Sequence, residues 1–86
     1  MFKIEPSKKF LKQLKKLPAI DRKQIKNALW NLSENPRHPS LRTKKYQSMD
    51  GVFESSVNMD IRILWEYKLD TENVILLLLV GHHDLL

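Results

Sequence analysis

Cysteine is absent from this 86-residue sequence, and glycine occurs only twice. Without cysteine the chain forms no disulfide, and it shows no Cys/His spacing of the kind that builds a structural zinc site. Its longest apolar run, Val74–Val80, has seven residues, whereas a membrane helix needs about 20. The first residues also lack the apolar stretch of a signal peptide. These absences predict one cytoplasmic domain over residues 1–86, with no membrane association, metal or small-molecule cofactor.

Positive charge is concentrated in the first half of the chain. Residues 1–45 carry thirteen Lys and Arg against three acids, a net charge of +10, whereas residues 46–86 carry two bases against seven acids, a net charge of −5. The basic half has the periodicity of helices and the acidic half that of strands. A basic helical layer on a small domain predicts an anionic partner, which is a nucleic acid, an anionic membrane or an acidic protein.

Hydrophobic spacing predicts two helices and four strands. Ser7 has the position of an N-cap for the first helix, and Pro18 separates that helix from the second. A link this short predicts a helical hairpin. The predicted elements are a strand over 2–4, helices over 7–17 and 19–34, and strands over 52–58, 61–68 and 74–80. The predicted inner faces of the helices comprise Phe10, Leu11, Leu14, Leu17, Ile25, Ala28, Leu29 and Leu32, packed onto Ile63, Trp65 and the last strand.

Alternation of side chains predicts how the middle two strands pair. A loop over 59–61 would place Ser55 opposite Trp65, and would gather Arg62 and Glu54 on the polar face of the sheet, away from the helices. The one unfavourable contact in this register is Glu54 opposite Glu66, because like charges that face each other repel. Trp65 and Tyr67 fall on the core face. Trp30 lies off the inner stripe of its helix, so partial burial is expected, and full exposure would indicate a partner surface.

The order of these segments resembles the RelE/ParE superfamily of bacterial toxins. The segments that carry the resemblance are Phe10–Pro18, Ile25–Pro36, His38–Arg42, Gly51–Glu54, Asp60–Tyr67 and the C-terminal Val80–Leu86. The resemblance implies an α+β fold in which an N-terminal strand and a helical hairpin pack on a small, mostly antiparallel sheet, in the order β-α-α-β-β-β. It also implies a toxin of a type II toxin-antitoxin system, neutralised by a small acidic antitoxin. RelE-like members are ribosome-dependent endoribonucleases that cleave mRNA and so inhibit translation, whereas ParE-like members poison DNA gyrase.

The resemblance also implies roles for individual residues. Arg62 stands where RNase members have an arginine that contacts the scissile phosphate, and His83 stands where members ending in Gly-x-His carry a catalytic histidine. Leu85 and Leu86 stand where many RNase members have a terminal aromatic residue that stacks on a base, so that aromatic is missing here. The strand over 52–58 also lacks the lysines of the founding RelE-like toxins.

Metal-independent RNA cleavage needs a base for the 2′-hydroxyl, a cation for the phosphate and an acid for the leaving oxygen. Histidine and arginine suit these roles because histidine titrates near neutrality and the guanidinium fork matches a phosphate. The predicted catalytic residues are therefore Arg62 and His83, with Glu54 and His82 as possible supporting residues. The predicted RNA-binding residues are Arg42, Lys44, Lys45, Lys12, Lys15 and Lys16.

Each assignment has a structural alternative. Arg62 could simply form an ion pair with Glu54 or Glu66, His83 could be a solvated terminal residue, and the lysines could be a solvated helix face. If the last strand continues, His82 and His83 point to opposite sides and cannot share a site. A metal site from His82, His83 and Asp84 is not expected, because adjacent residues rarely converge on one ion.

The function predicted from the sequence is a ribosome-dependent, metal-independent endoribonuclease toxin whose partners are an acidic antitoxin, the ribosome and mRNA. One alternative is a ParE-like gyrase inhibitor without nuclease activity, favoured by the missing aromatic. The other is an inactive relative that only binds antitoxin or RNA.

Overall fold

A computed structural model describes all residues from 1 to 86 and contains five strands, two α-helices and two short 3-10 helices. The elements are β1 (Lys3–Pro6), α1 (Lys8–Lys15), α2 (Ala19–Glu34), β2 (Lys44–Lys45), β3 (Val52–Ser56), β4 (Ile61–Tyr67) and β5 (Val74–His82), with 3-10 helices at Pro39–Leu41 and His83–Leu85. None of the helices has the length and apolarity needed to cross a membrane.

The five strands form one mixed sheet in the order β1-β5-β4-β3-β2. β1 runs parallel to β5, and every other pair is antiparallel. Both helices pack on one face of the sheet, which confirms the predicted α+β class. The two-residue strand β2 lies in a segment predicted to be a loop, because a Lys-Lys pair on a sheet edge carries no hydrophobic pattern.

Ser7 begins α1 as predicted and also anchors that helix to β5. Its hydroxyl oxygen accepts a hydrogen bond from the Phe10 amide at 3.0 Å and donates one to the Leu78 carbonyl at 3.0 Å. The pairing of β4 and β5 is irregular near Leu64 and Trp65. Six residues after Ser7, the Gln13 side chain accepts a hydrogen bond from the Val80 amide at 2.9 Å. The helix therefore satisfies backbone groups of β5 close to this irregularity.

The core between the helices and the sheet contains most of the predicted apolar residues. Twelve buried residues form one cluster: Phe10, Leu17, Ile25, Ala28, Leu32, Leu41, Ile61, Ile63, Trp65, Ile75, Leu77 and Val80. Leu14 and Leu29 are only partly buried at the edge of this cluster, and Leu11, which was also predicted to face inward, is 42% exposed. Tyr67 was predicted to lie in the core but is 40% exposed, because it stands at the end of β4 and packs edge-on against Trp65 and Phe53.

The register of β3 against β4 differs from the predicted one by two residues. Ser55 pairs with Ile63, Glu54 with Leu64 and Phe53 with Trp65. A shift of two residues keeps every side chain on its predicted face, but it removes the repulsive pairing of Glu54 with Glu66. The turn also lies one residue earlier than predicted, at 58–60, where the Val57 amide donates to the Ile61 carbonyl at 2.9 Å. Within it, the Asn58 side-chain oxygen accepts hydrogen bonds from the amides of Asp60 and Ile61 at 2.8 and 2.7 Å.

Candidate functional site

Arg62 lies at the start of β4, and its guanidinium folds back over the turn that precedes the strand. Nη1 donates to the carbonyl oxygens of Asn58 at 2.7 Å and Ile61 at 3.2 Å. Nε lies 3.5 Å from a carboxylate oxygen of Glu54, and the Arg62 side chain is 19% exposed. The ion pair considered from the sequence is therefore present. Nη2 makes no hydrogen bond within the protein, so its two N–H groups are available to an anion.

A cleft of about 280 Å³ opens beside this guanidinium. Arg42 lines the cleft together with Arg62, and Ser40, Ser56 and Asn58 add polar groups. Arg42 has a left-handed backbone, with φ of 48°, where the chain leaves the first 3-10 helix. Two arginines and two hydroxyl-bearing side chains line this hollow, and guanidinium groups offer the charge and the N–H donors that suit a phosphate or phosphodiester.

The segment that carries Arg42 is fixed to the sheet by a chain of hydrogen bonds. The Trp65 indole donates to the buried Ser55 hydroxyl at 2.8 Å. The Ser55 hydroxyl lies 2.7 Å from that of Thr43, which donates to the Pro36 carbonyl at 2.7 Å. His38 lies in the same segment, where its Nδ1 accepts from the Ser40 amide at 3.1 Å and caps the 3-10 helix. The bonds through Thr43 and Ser55 fix this segment to the sheet, and they therefore fix the backbone of Arg42 beside the cleft.

Asp60 lies on the same turn, where its carboxylate contacts both C-terminal histidines. His82 Nδ1 is hydrogen-bonded to Asp60 Oδ2, and His83 Nδ1 lies 3.5 Å from Asp60 Oδ1. The backbone amide of His83 donates to the Asp60 carbonyl at 2.8 Å. The hydrogen bond from His82 is the main cause that lowers the pKa of Asp60 below its ordinary value, and His83 lowers it further.

The condition under which His82 and His83 would point to opposite sides, a strand that continues past His82, is not met. β5 ends at His82 and a 3-10 helix begins at His83, so the alternation of a strand no longer separates the two side chains. Sequence reasoning also missed Asp60. Since Ile61 pairs with His82, a correct register for β4 and β5 would have placed Asp60 beside His83. No group of three or more His, Cys, Asp and Glu side chains is placed to hold a metal ion.

The predicted RNA-binding residues fall on separate elements. Arg42 lines the cleft, and Lys44 lies on the sheet edge, 3.9 Å from Glu54. Lys45 is the next residue of β2 and lines a different hollow. Lys12 and Lys15 lie in the last turn of α1 and Lys16 caps it; all three are exposed. Glu54, a predicted supporting residue, contacts both Arg62 and Lys44 through one carboxylate oxygen.

Comparison with known proteins identifies one matching family. A model of the ParE toxin of type II toxin-antitoxin systems matches residues 4–84. No curated protein matches the sequence.

Solved toxin structures share the fold over nearly the whole chain. A metal-bound toxin from Helicobacter pylori is 27% identical, with a TM-score of 0.76, over 100% of this chain and 99% of that one. The toxin-antitoxin complex RelBE from E. coli gives 22% identity and a TM-score of 0.74, over 95% and 96% of the two chains. An archaeal RelE-RelB complex from Pyrococcus horikoshii gives 15% identity and a TM-score of 0.77, over 94% of this chain and 93% of that one. The fold is therefore that of RelE-like toxins.

Proposed function

Since this chain belongs to the ParE toxin family, within the RelE/ParE superfamily of type II toxins, we propose that it is a ribosome-dependent endoribonuclease that cleaves mRNA. One observation carries this proposal. The turn at 58–60 joins a cleft lined by two arginines to a carboxylate that holds two imidazoles. Metal-independent RNA cleavage requires a phosphate site and groups that transfer protons, and both kinds of group are attached to this one turn.

Arg62 and Arg42 would hold the scissile phosphodiester. The free Nη2 edge of Arg62 faces no protein acceptor, and Arg42 adds a second positive charge to the lining of the same cleft. As the 2′-oxygen attacks phosphorus, negative charge grows on the phosphate oxygens. Fixed guanidiniums stabilise that charge more in the transition state than in the ground state.

Proton transfer would come from the histidine cluster. The 2′-hydroxyl must lose a proton and the departing 5′-oxygen must gain one, and imidazole can do both near neutral pH. The resemblance assigns this role to His83, and the cluster brings His82 to the same carboxylate. The terminal aromatic residue that would stack on a base is replaced by leucine, so substrate positioning depends on the arginines and on the ribosome.

The partners that fit this proposal are an acidic antitoxin, the ribosome and mRNA. The RelE structures from E. coli and Pyrococcus horikoshii were solved as complexes with their antitoxins, which supports an antitoxin partner here. The exposed lysines of α1 offer sequence-independent contacts to ribosomal or messenger RNA phosphates. Trp30, which is 59% exposed and therefore less buried than expected, offers an apolar contact on α2 for a protein partner.

A second function is favoured by one specific observation. The matching family is named for the ParE toxin. The resemblance of this sequence to ParE-like toxins implies a poison of DNA gyrase. In that case the Arg62–Glu54 ion pair would be structural and the histidines would have no chemical role.

Induced expression separates these two functions. The chain is expressed in a bacterial host, and primer extension on an abundant message maps any new 5′ ends relative to codons, while gyrase-linked DNA breaks are measured in the same cells. Cleavage within translated codons, lost when translation is blocked, supports the nuclease. Intact message accompanied by DNA breaks supports the gyrase inhibitor and rejects the nuclease.

A further inference from the structure

A second hollow, of about 220 Å³, adjoins the cleft of Arg42 and Arg62. The two hollows lie next to each other, because Ser40, Ser56 and Val57 line both of them. Their chemistry differs. Two arginines line the cleft, whereas no charged side chain lines the second hollow. The second hollow therefore suits a neutral group that is attached to an anion held in the cleft.

Three side-chain amides of α2 line this hollow: Gln24, Asn27 and Asn31. Their spacing of three and four residues places them on one face of the helix. Two of them also fasten α2 to neighbouring loops. Gln24 Oε1 accepts a hydrogen bond from the Asn58 side chain at 2.6 Å, and Asn31 Nδ2 donates to the Ser40 hydroxyl at 3.5 Å. These contacts hold two of the three amides in place beside the hollow.

Most of the hydrogen-bonding capacity of these three amides is unused. Each amide side chain offers two N–H donors and one acceptor oxygen. Asn27 makes no side-chain hydrogen bond within the protein. The Oδ1 atom of Asn31 and the Nε2 atom of Gln24 also have no partner, because each of these side chains is bound only through its other polar atom. The hollow therefore offers donors and acceptors together without a net charge.

Apolar side chains complete the lining of the hollow: Ala28, Leu41 and Val57. Ala28 and Leu41 belong to the buried core cluster, so they present a fixed surface to the hollow. A nucleobase has apolar faces and a polar edge, and proteins read unpaired bases by contacts to both. Side-chain amides pair bidentately with adenine, whereas guanine is most often read by arginine or lysine. An apolar surface bordered by uncharged amides thus matches adenine better than guanine.

From this lining we infer that the hollow is a nucleobase subsite, with adenine as its preferred base, for a nucleotide whose phosphate lies in the arginine cleft. The inference rests on the RNA binding proposed for that cleft and is independent of the cleavage chemistry. The arginines would hold the phosphate, and Asn27 and Asn31 would contact the edge of the base. Phosphate contacts position a nucleic acid, whereas base contacts specify its sequence. The two asparagines would therefore be specificity-determining residues.

Binding of mononucleotides to the full chain tests this subsite in the absence of the ribosome. The probes are adenosine 5′- and 3′-monophosphate, guanosine 5′- and 3′-monophosphate, and ribose 5-phosphate, which has no base. We expect at least one adenosine monophosphate to bind about 5–150-fold more tightly than ribose 5-phosphate, the range for one bidentate contact between an amide and a base. It should also bind more tightly than either guanosine monophosphate. Nitrogen-15 NMR titration gives the dissociation constants and shows whether the side-chain amide signals of Asn27 and Asn31 shift.

Variants separate the contact to the base from the contact to the phosphate. The double variant Asn27→Ala/Asn31→Ala should bind adenosine monophosphate no more tightly than ribose 5-phosphate, and its affinity for ribose 5-phosphate should equal that of the wild type. Gln47→Ala is the matched control, because Gln47 is an exposed amide outside this hollow, and it should bind every probe as the wild type does. Arg62→Ala should weaken the binding of all probes alike.

The outcomes distinguish this inference from the proposed function. If ribose 5-phosphate binds as tightly as both adenosine monophosphates, or if the double variant keeps the preference for adenosine, the inference is overturned and the phosphate site in the cleft stands. Tighter binding of a guanosine monophosphate would overturn the choice of adenine. If the folded wild type binds none of the probes, the phosphate site on which the proposed function depends is rejected, and the inference with it.

Discussion

Arg62 and Glu54 are diagonal neighbours on adjacent strands, with Nε of the guanidinium 3.5 Å from a carboxylate oxygen. The same oxygen of Glu54 lies 3.9 Å from Lys44. One carboxylate thus partly neutralises two cations that were predicted to bind RNA. A phosphate entering the cleft must compete with Glu54, because like charges near one guanidinium repel each other.

Removal of that competitor should strengthen binding of RNA. We expect Glu54→Gln to raise the affinity for a short RNA a few-fold at low salt, because Arg62 and Lys44 keep their positions and lose a counter-charge. Fluorescence anisotropy measures the dissociation constant, and Glu66→Gln is the matched control because Glu66 forms no ion pair. Equal or weaker binding by Glu54→Gln would mean that Glu54 is needed to orient Arg62.

Core and edge leucines of α2 should differ in their contribution to stability. Leu32 is 1% exposed, whereas Leu29 lies at the edge of the core. Leu32→Ala should lower the free energy of unfolding by about 2–5 kcal/mol through lost burial and a cavity. Leu29→Ala should cost clearly less, because part of that side chain already contacts water. Urea unfolding measures both, and equal losses would contradict the observed face of α2.

Acid should weaken the histidine cluster. The pKa of Asp60 is lowered by its hydrogen bond to His82 and by His83, relative to an ordinary value of 3.8. A carboxyl group with a lowered pKa in the folded state contributes stability above its unfolded pKa and loses it as pH falls through the folded value. Between pH values of about 5 and 2, the wild type should therefore lose more unfolding free energy than Asp60→Asn. Parallel pH profiles for the two proteins would show that Asp60 makes no such contribution.

The lysines of α1 should provide binding that depends on salt but not on sequence. Reversal of Lys12, Lys15 and Lys16 to glutamate should weaken ribosome binding and lower the slope of log affinity against log salt by up to about 2, since fewer counterions are released. Lys68→Glu is a control reversal outside the basic half. A slope that does not change would mean that α1 does not contact RNA, and that its charge serves solubility or antitoxin binding.

Helices and strands were predicted well where one face is buried, because burial requires a regular spacing of hydrophobic residues in the sequence. Ser7 capped α1 as expected, and the apolar stripes of both helices and of β5 led to the observed core. The register of β3 was two residues off because alternation distinguishes odd from even shifts but not one even shift from another. The repulsion between Glu54 and Glu66 in the predicted register was the physical signal of that error.

The site was predicted less completely than the fold. Arg62 was identified through the family resemblance and Arg42 through its basic cluster, and both line one cleft in the structure. Asp60 was missed because a turn residue carries no periodic signal. The condition that would have separated His82 from His83 was not met, because the end of a strand is set by backbone hydrogen bonds, here between the His83 amide and Asp60, and not by alternation. Ser55 was counted as a strand residue, although its hydroxyl links Trp65 to the cleft segment.

The most direct test of the central claim is primer extension on mRNA from cells that express the wild type or Arg62→Ala. The wild type should produce cuts within translated codons. Arg62→Ala should fold normally and still bind ribosomes, yet produce almost none of these cuts, because loss of one fixed donor to a developing negative charge costs about 10²–10³ in rate. Arg62→Lys should restore little, since a single ammonium cannot reproduce the guanidinium fork. Undiminished cleavage by a well-folded Arg62→Ala protein would contradict the account.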